Sequence, residues 1–184
     1  MGKTTVSKSL ASRLGAIYIS VSEMVKAENL VISEDKERNT LVADTKRLTE
    51  RLKTVLDNSR GNLVIDGHYA FEVVQKEIVT MAFVLRRDPR ELKRILEERG
   101  YSEKKVWENL SAEILDVCLS DAIAICGVNK VCEIDVTEKT IDSTVEEMLL
   151  IINEKQGCSI GVDWLRRLEN AGQLEEFIKK LILS

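Results

Sequence analysis

Two hydrophobic periods alternate along this chain and predict an α/β protein. Short apolar runs, typical of buried strands, occupy residues 16–20, 62–66, 79–86 and 130–135. Apolar residues three or four positions apart predict helices at about 4–14, 22–30, 44–59, 88–100, 102–126, 141–154, 163–169 and 173–183. Strands that alternate with helices predict a parallel sheet with helices on both faces, a three-layer α/β/α architecture. Ligands of such folds bind at the carboxyl ends of the strands.

Three of the predicted helices begin at residues that are typical N-caps. Ser22 and Asp44 open the helices at 22–30 and 44–59. Asp88 is followed by Pro89 at the first helical position and by Glu91, which completes a predicted capping box. These side chains therefore define the predicted starts of the three helices.

The first helix begins in the run Gly2-Lys3-Thr4-Thr5. This run is the second half of the phosphate-binding pattern G-x-x-x-x-G-K-[ST]. In that pattern backbone N–H groups surround the phosphates, the Lys3 ammonium reaches the β- and γ-phosphates, and the Thr4 hydroxyl ligates Mg²⁺. The same string also arises by chance at ordinary helix starts. Its position before an amphipathic helix in an α/β pattern favours the phosphate site.

The first glycine of this pattern, and the buried strand that should precede it, are absent upstream of Gly2. That strand would be the central one of the predicted sheet, and each buried backbone group left unpaired costs about 1–3 kcal/mol. We therefore expect Met1 to be an internal methionine of a longer loop, or the start of the chain to be misassigned.

The strand at 62–66 ends in an acid and enters a glycine turn, Asp66-Gly67-His68. An acid at such a position is typical of strands that hold Mg²⁺ beside a bound triphosphate, so we predict that Asp66 holds the metal through its water shell. His68 is the only histidine of the chain. Histidine titrates near neutral pH, which suits it to orient a water or a phosphate. The alternative is a histidine with a structural role.

A basic stretch between positions 86 and 99 allows two interpretations, a solvated helix face or a phosphate-binding cluster. The motifs above favour the cluster. Its members are Arg86, Arg87, Arg90, Lys93, Arg94 and Arg99. Arg99-Gly100-Tyr101 separates two capped helices and resembles the hinge of a lid that closes over ATP, where Arg99 would neutralise the transferring phosphoryl group. A helix C-cap with an exposed arginine is the alternative.

Length and composition are typical of a single globular domain spanning residues 1–184. The net charge of −4 argues against sequence-blind binding to nucleic acid or to anionic membranes. No apolar run approaches the ~20 residues of a membrane span, and we predict a cytoplasmic protein. Four cysteines without metal-binding spacing are predicted to be reduced core thiols and not a zinc site: Cys118, Cys126, Cys132 and Cys158.

Three segments together resemble the archaeal and nuclear adenylate kinase family whose members double as small-ribosomal-subunit assembly ATPases. They are GKTTVSKSLASRLG, the D-x-H turn in VIDGH, and ERGYSEKKVWENLSAEILDV. The resemblance runs from Gly2 to about Ile152, and the tail VDWLRRLENAGQLEEFIKKL resembles an extension of archaeal members. It implies a P-loop NTPase fold with a nucleoside-monophosphate-binding region at about 20–43, a lid at about 98–108 and a C-terminal helical extension at about 156–184.

The resemblance also implies roles for individual residues. The phosphates of ATP would be bound by Gly2, Lys3, Thr4 and Thr5, and Mg²⁺ by Thr4 and Asp66. ATP would further be contacted by Arg99 and Lys139, and Asp66 and His68 would be the D-x-H pair linked to hydrolysis. The catalytic set would then be Lys3, Asp66, His68 and Arg99. The chain departs from the family at the missing first glycine and at Lys26, where some members carry an arginine directed at the monophosphate.

The function implied by the family is a broad-specificity nucleoside monophosphate kinase, converting ATP and AMP to two ADP, with ATPase activity and a role late in small-subunit rRNA maturation. Its expected partners are AMP or another nucleoside monophosphate and a small-subunit ribosomal protein or pre-ribosomal particle, with no membrane and no strong binding to free nucleic acid. A second hypothesis is an ATP-hydrolysing ribosome assembly factor with little kinase activity. A third is a different small-molecule kinase on the same fold, which the R-G-Y hinge and the D-x-H turn disfavour.

Overall fold

The computed structural model describes residues 2–35, 40–67 and 70–183. Contacts divide the chain into two compact units. The N-terminal unit comprises Gly2–Met81 and Ile141–Gln156, and the C-terminal unit comprises Ala82–Thr140 and Gly157–Ser184. Within the described ranges, no helix is both long enough and apolar enough to cross a bilayer. The assignment of residues 1–184 to one domain stays a prediction.

In the N-terminal unit two strands pair in parallel through a helical crossover. The elements are α1 (Lys3–Leu14), β1 (Ile17–Ser20), α2 (Val21–Ala27), β2 (Val31–Asp35), β3 (Thr40–Ala43), α3 (Thr45–Asn58), β4 (Leu63–Asp66), α4 (Ala70–Val73) and α8 (Ile141–Ile152). β1 and β4 run parallel, from Ile17 opposite Leu63 to Ser20 opposite Asp66. β2 and β3 form an antiparallel hairpin.

The core of this unit is built from the apolar faces of its helices against the parallel pair. α1 contacts both β4 and α8, and α3 buries Leu48 and Leu52 completely. Burial of each such leucine stabilises the fold by about 1.5–3 kcal/mol relative to exposure. The buried members of one cluster are Ile19, Val21, Val25, Leu30, Ala43, Leu48, Leu52 and Val73.

The C-terminal unit also contains one parallel strand pair. Its elements are β5 (Ala82–Arg86), α5 (Pro89–Glu98), α6 (Glu103–Ile114), α7 (Val117–Cys126), a 3₁₀ turn (Val128–Lys130), β6 (Val131–Asp135), α9 (Trp164–Asn170) and α10 (Leu174–Leu183). β5 and β6 are in register from Ala82 opposite Val131 to Arg86 opposite Asp135. A second cluster joins α5, α6, α9 and α10 through Leu92, Leu96, Val106, Trp107, Leu110, Ile114, Leu168 and Phe177.

The α/β class with parallel strands and intervening helices is confirmed, and all four predicted strands are present. The β2–β3 hairpin falls between the helices predicted at 22–30 and 44–59, where no strand was predicted. The helix predicted at 22–30 ends at Ala27, because Asn29 takes a positive φ of 51° and Val31 begins the hairpin. The short α4 was not predicted either.

Two of the three predicted N-caps are found in the structure. Asp44 accepts a hydrogen bond from the Arg47 amide at 3.1 Å, and Asp88 accepts one from the Arg90 amide at 2.8 Å, so both N-caps are confirmed. Ser22 is wrong as a cap, because β1 ends earlier and Ser20 accepts from the Glu23 amide at 3.2 Å. The Ser20 cap therefore opens α2 directly after the strand.

The predicted capping box at Asp88 is wrong in its second half. The Asp88 amide donates to the Thr137 hydroxyl at 2.9 Å and not to Glu91. The Glu91 carboxylate instead accepts from Arg87 and from the Glu138 amide. Two residues after β6 therefore take the places that a capping box would fill: Thr137 accepts from the Asp88 amide, and the Glu138 amide donates to Glu91.

The long helix predicted at 102–126 is divided into α6 and α7. Asp116 adopts a left-handed conformation with φ 56° between them. Arg86 donates from Nη2 both to the Glu113 carbonyl, at 2.8 Å, and to the Asp116 carboxylate. These bonds satisfy a terminal carbonyl of α6 and stabilise the break, which the continuing apolar pattern does not reveal.

The prediction that all four cysteines are reduced is wrong for two of them, because Cys132 and Cys158 form a disulfide. Cys118 and Cys126 are not disulfide-bonded. The segment that carries Cys158 lies along β6, where the Glu133 amide donates to the Ser159 carbonyl at 3.0 Å. The covalent bond therefore joins two segments that also share backbone hydrogen bonds.

Candidate functional site

The N-terminus of α1 has the features of an anion site. Gly2 lies in the left-handed region, φ 76° and ψ 8°, a conformation that glycine adopts without steric cost. The helix starts with the Val6 amide donating to the Gly2 carbonyl at 3.0 Å. The amides of the first turn consequently have no partner within the helix and carry its positive partial charge. No acidic residue lies within this turn itself.

Thr4 and Asp66 are in direct contact in this unit. The Thr4 hydroxyl donates to Oδ2 of Asp66 at 2.9 Å, although 62 positions separate the two residues in the sequence. Asp66 is the last residue of β4 and lies opposite Ser20, the last residue of β1. The structure therefore brings the first turn of α1 to the carboxyl ends of the two parallel strands, where α/β folds bind ligands.

Lys3 and Thr5 flank Thr4 in the first turn of α1. Thr4 and Thr5 are exposed, and Lys3 is half-buried. The predicted phosphate-binding and metal-binding residues thus lie in one unit. They are Gly2, Lys3, Thr4, Thr5 and Asp66, and the Thr4–Asp66 contact joins the first turn of α1 to the end of β4. Their individual roles stay predictions.

A pair of hard oxygen ligands beside a helix N-terminus fits a magnesium–triphosphate complex. Mg²⁺ is usually held by one or two protein oxygens together with substrate phosphates and water, not by an all-protein cage. In the ranges that the structure describes, no group of three or more His, Cys, Asp or Glu side chains could hold a metal ion. The donor set here, one hydroxyl and one carboxylate, matches the sparse kind of site.

Gly67 fixes the path of the chain after Asp66 by close packing. A Cβ atom built on Gly67 would lie 2.7 Å from the Cβ of Val21, closer than real Cβ contacts. Val21 is 1% exposed and begins α2, so it has little room to move. A glycine at this position therefore lets the Asp66 turn approach the start of α2. His68 lies outside the described residues.

Tyr18 was not among the predicted site residues, yet its hydroxyl lies 3.3 Å from Oδ2 of Asp66. Burial raises the pKa of the Tyr18 phenol; the hydrogen bond with Ser20 acts against this, and the charge of Asp66 adds to the rise. The sequence contains a signal that could have identified it. Tyr18 stands two residues before the end of β1, on the face shared with Ser20, beside the strand that ends in Asp66.

Arg99 and Lys139 belong to the C-terminal unit. Arg99 is the exposed C-cap of α5, and Gly100 follows with φ 72°, so the geometry is the helix C-cap of the alternative interpretation. Lys139 is exposed in the turn after β6, where its amide donates to the Val136 carbonyl at 3.2 Å. A lid at 98–108 and ATP contacts from these two residues stay predictions.

The phosphate-binding interpretation of the basic stretch is wrong for Arg86 and stays a prediction for the other residues. Arg86 is 2% exposed and its guanidinium binds the carboxylates of Glu113, Glu133 and Asp116. Desolvation lowers the pKa of Arg86, but the carboxylates of Glu113 and Asp116 outweigh it and the net shift is upward. The other ion pairs are Arg87–Glu91, Arg90–Asp88, Lys93–Glu97 and Arg94–Glu98.

Comparisons with known proteins show which family the chain resembles. Residues 1–116 match the model of a family described as "AAA domain". A protein of Methanocaldococcus jannaschii is 36% identical over 167 residues, covering 91% of this chain and 89% of the relative. A Methanosarcina mazei protein is 34% identical, covering 83% and 82%, and a Thermococcus kodakarensis protein is 36% identical, covering 89% and 87%. All three relatives are named "Putative adenylate kinase".

The chain is therefore a P-loop protein of the AAA-domain family, since the matched model covers more than half of it. Within that class it belongs to the family of the three adenylate kinase relatives, each of which it covers over more than two thirds. The Gly2-Lys3-Thr4-Thr5 run and Asp66 lie inside the matched residues 1–116.

Proposed function

We propose that this protein is a nucleoside monophosphate kinase that transfers the γ-phosphoryl group of ATP to AMP. The single observation that carries the proposal is the contact between Thr4 and Asp66 at the N-terminus of α1. It places a hydroxyl, a carboxylate and a positive helix end together, the combination that phosphoryl transfer from a magnesium–nucleotide requires. Membership in the family of the adenylate kinase relatives supports the same reaction.

In this proposal the first turn of α1 binds the phosphates. The backbone amides after Gly2 donate to phosphate oxygens, and the Lys3 ammonium neutralises charge on the β- and γ-phosphates. Thr5 is exposed in the same turn and offers a further hydroxyl. Such positioning and charge neutralisation provide most of the catalysis in phosphoryl transfer, since little covalent chemistry falls to the protein.

Thr4 and Asp66 would hold Mg²⁺, Thr4 through its hydroxyl oxygen and Asp66 through its carboxylate. When bound there, Mg²⁺ would supply positive charge that stabilises the negative charge developing on the transferred phosphoryl group. The hydrogen bond from Thr4 to Asp66 keeps the two ligands in contact. It also directs the lone pairs of the hydroxyl oxygen away from the carboxylate.

Further residues enter the proposal through the family resemblance. Residues 20–43 would bind the monophosphate, with Lys26 where some members carry an arginine. Residues 98–108 would form the lid, with Arg99 and Lys139 on ATP and His68 acting with Asp66. A cytoplasmic location belongs to the same proposal.

ATP hydrolysis is the second candidate function, because the same phosphate and metal ligands can activate water in place of AMP. A role in late small-subunit rRNA maturation, with a small-subunit ribosomal protein as partner, rests on the resemblance alone. The basic stretch that would offer such a partner a positive surface is largely ion-paired within the chain.

The test is ADP formation from Mg·ATP with and without AMP, comparing the wild type with Lys3→Ala. We expect AMP to stimulate ADP formation, and the Lys3→Ala variant to lose at least about 10²-fold of the rate, since one charged donor is removed from the transferring phosphoryl group. Lys53→Ala is the matched control, because Lys53 is an exposed lysine of α3 away from this site.

Each outcome distinguishes the candidates. Hydrolysis that AMP leaves unchanged, and that Lys3→Ala abolishes, supports the ATPase in place of the kinase. A Lys3→Ala variant as active as Lys53→Ala contradicts both functions, because neither can proceed without the charge at the phosphates.

A further inference from the structure

Oδ2 of Asp66 accepts hydrogen bonds from two elements at once. Thr4 donates from α1 at 2.9 Å and Tyr18 donates from β1 at 3.3 Å. The Thr4 contact belongs to the phosphate motif, but no motif requires the tyrosine. The Tyr18 hydroxyl nevertheless donates a hydrogen bond to the same oxygen atom.

The parallel register explains how Tyr18 reaches the carboxylate. Tyr18 lies opposite Val64, and Asp66 is two residues further along β4. Two strand residues span about 6.6 Å, which is close to the length of a tyrosine side chain from Cα to hydroxyl. Because residues two apart share a face of a strand, a tyrosine here leans along β1 toward the carboxyl end and meets Asp66 there.

The Tyr18 ring is held in place from α1. The Lys8 ammonium lies 5.3 Å from the ring centroid, a cation–π distance. Lys8 also approaches the Glu23 carboxylate of α2 at 3.6 Å. The Tyr18 ring therefore contacts α1, the element that carries Thr4, and the lysine that forms this contact is ion-paired with α2.

We propose that Tyr18 is a positioning residue that orients the Asp66 carboxylate toward the magnesium ion of the bound nucleotide. This inference rests on the proposed function. The terminal torsion of aspartate is broad and roughly two-fold, so one hydrogen bond leaves the carboxylate some rotation. A second donor on the same oxygen, from a different direction, restricts that rotation and presents the second oxygen in a fixed orientation.

Outer hydrogen bonds of this kind tune metal ligands. Loss of such a partner commonly costs about 10- to 100-fold in metal affinity or activity. The effect of the Tyr18 hydroxyl should therefore appear only when magnesium is part of the complex. Without Mg²⁺, the nucleotide would be bound through its phosphates by the first turn of α1, here called the phosphate turn. This binding should not depend on Tyr18.

The experiment measures ADP affinity by calorimetry for the wild type and Tyr18→Phe, once with Mg²⁺ and once with EDTA. Tyr18→Phe keeps the ring and removes only the hydroxyl. We expect about tenfold weaker binding of Mg·ADP, with ADP in EDTA bound as in the wild type. The Mg²⁺ concentration that half-saturates ADP formation should rise by a similar factor. Thr54→Val, which removes a hydroxyl bonded within α3, is the control.

A double variant tests whether Tyr18 acts through Asp66. In an Asp66→Asn background, Tyr18→Phe should cause no further loss of Mg·ADP affinity. Equal losses with and without magnesium, no loss at all, or a full additional loss in the Asp66→Asn background would each overturn the inference. A wild type that fails to bind Mg·ADP overturns the proposed function itself, so the two failures are distinguishable.

Discussion

At the scale of single residues, Gly67 shows how a missing side chain can position a functional one. The turn after Asp66 passes so close to Val21 that a Cβ atom on Gly67 would lie 2.7 Å from the Cβ of Val21. The contact is between backbone-fixed atoms, so rotation of a side chain cannot relieve it. The close approach keeps the end of β4 next to the start of α2.

We therefore predict that Gly67→Ala displaces the Asp66 turn. The free energy of unfolding should fall by about 1–3 kcal/mol, as for other overpacked sites, and ADP formation should fall further than this loss of stability explains. Urea unfolding and the ADP assay measure the two effects. Gly157→Ala is the matched control, because nothing lies within 4 Å of a Cβ at that glycine. A Gly67→Ala variant with the stability and rate of Gly157→Ala would contradict this explanation.

Site residues differ in how far the sequence could reveal them. Thr4 and Asp66 were predicted because each belongs to a local motif with a known chemical requirement. Tyr18 was missed because its role depends on the register between β1 and β4, which no local pattern contains. Arg86 was misassigned for the same reason, since its carboxylate partners Glu113 and Glu133 come from distant elements.

At the scale of elements, the Arg86 cluster joins β5, β6, α6 and the segment before α9. Glu113 accepts from Arg86 Nε at 2.8 Å and from the Trp164 indole at 2.8 Å. Glu133 accepts from Arg86 and from the Gly161 and Val162 amides at 2.7 and 3.0 Å. One buried cation thus holds two buried carboxylates that in turn bind the chain leading to α9.

We predict that Arg86→Leu destabilises the protein by about 3–5 kcal/mol, because it leaves Glu113 and Glu133 buried without their counter-charge. Urea unfolding measures the loss. Arg94→Leu is the control: its ion pair with Glu98 is 3.8 Å long and mostly exposed, so the variant should be close to wild type. If the two variants lose the same stability, the buried cluster does not have the role described here.

Differences in the burial of apolar side chains also explain which strands could be predicted from the sequence. β5 and β6 are buried along most of their length, and all four strands of the parallel pairs carry the apolar runs from which they were predicted. The β2–β3 hairpin leaves Ile32, Leu41 and Val42 exposed at 68%, 39% and 42%. With these side chains exposed, the hairpin shows no alternation of apolar and polar residues, so it could not be predicted from its pattern.

At the scale of the whole molecule, the chain crosses between its two units three times, after Met81, Thr140 and Gln156. Neither unit is a continuous segment, and each needs chain from two parts of the sequence. Both tryptophans, Trp107 and Trp164, lie in the C-terminal unit. The phosphate turn and Asp66 lie in the N-terminal unit. Tryptophan fluorescence therefore reports on a different unit from the one that carries the first turn of α1 and Asp66.

We predict that this connectivity makes unfolding cooperative across both units, so that Mg·ATP stabilises the tryptophan environment although the first turn of α1 and Asp66 lie in the other unit. At about 100 times its dissociation constant, a ligand that binds only the folded state adds about 2.7 kcal/mol. The fluorescence transition in urea should shift by the same amount as the far-ultraviolet circular dichroism transition. Lys3→Ala should abolish both shifts, and Lys53→Ala should retain them. A fluorescence transition that Mg·ATP leaves in place while the dichroism transition moves would show that the two units unfold independently.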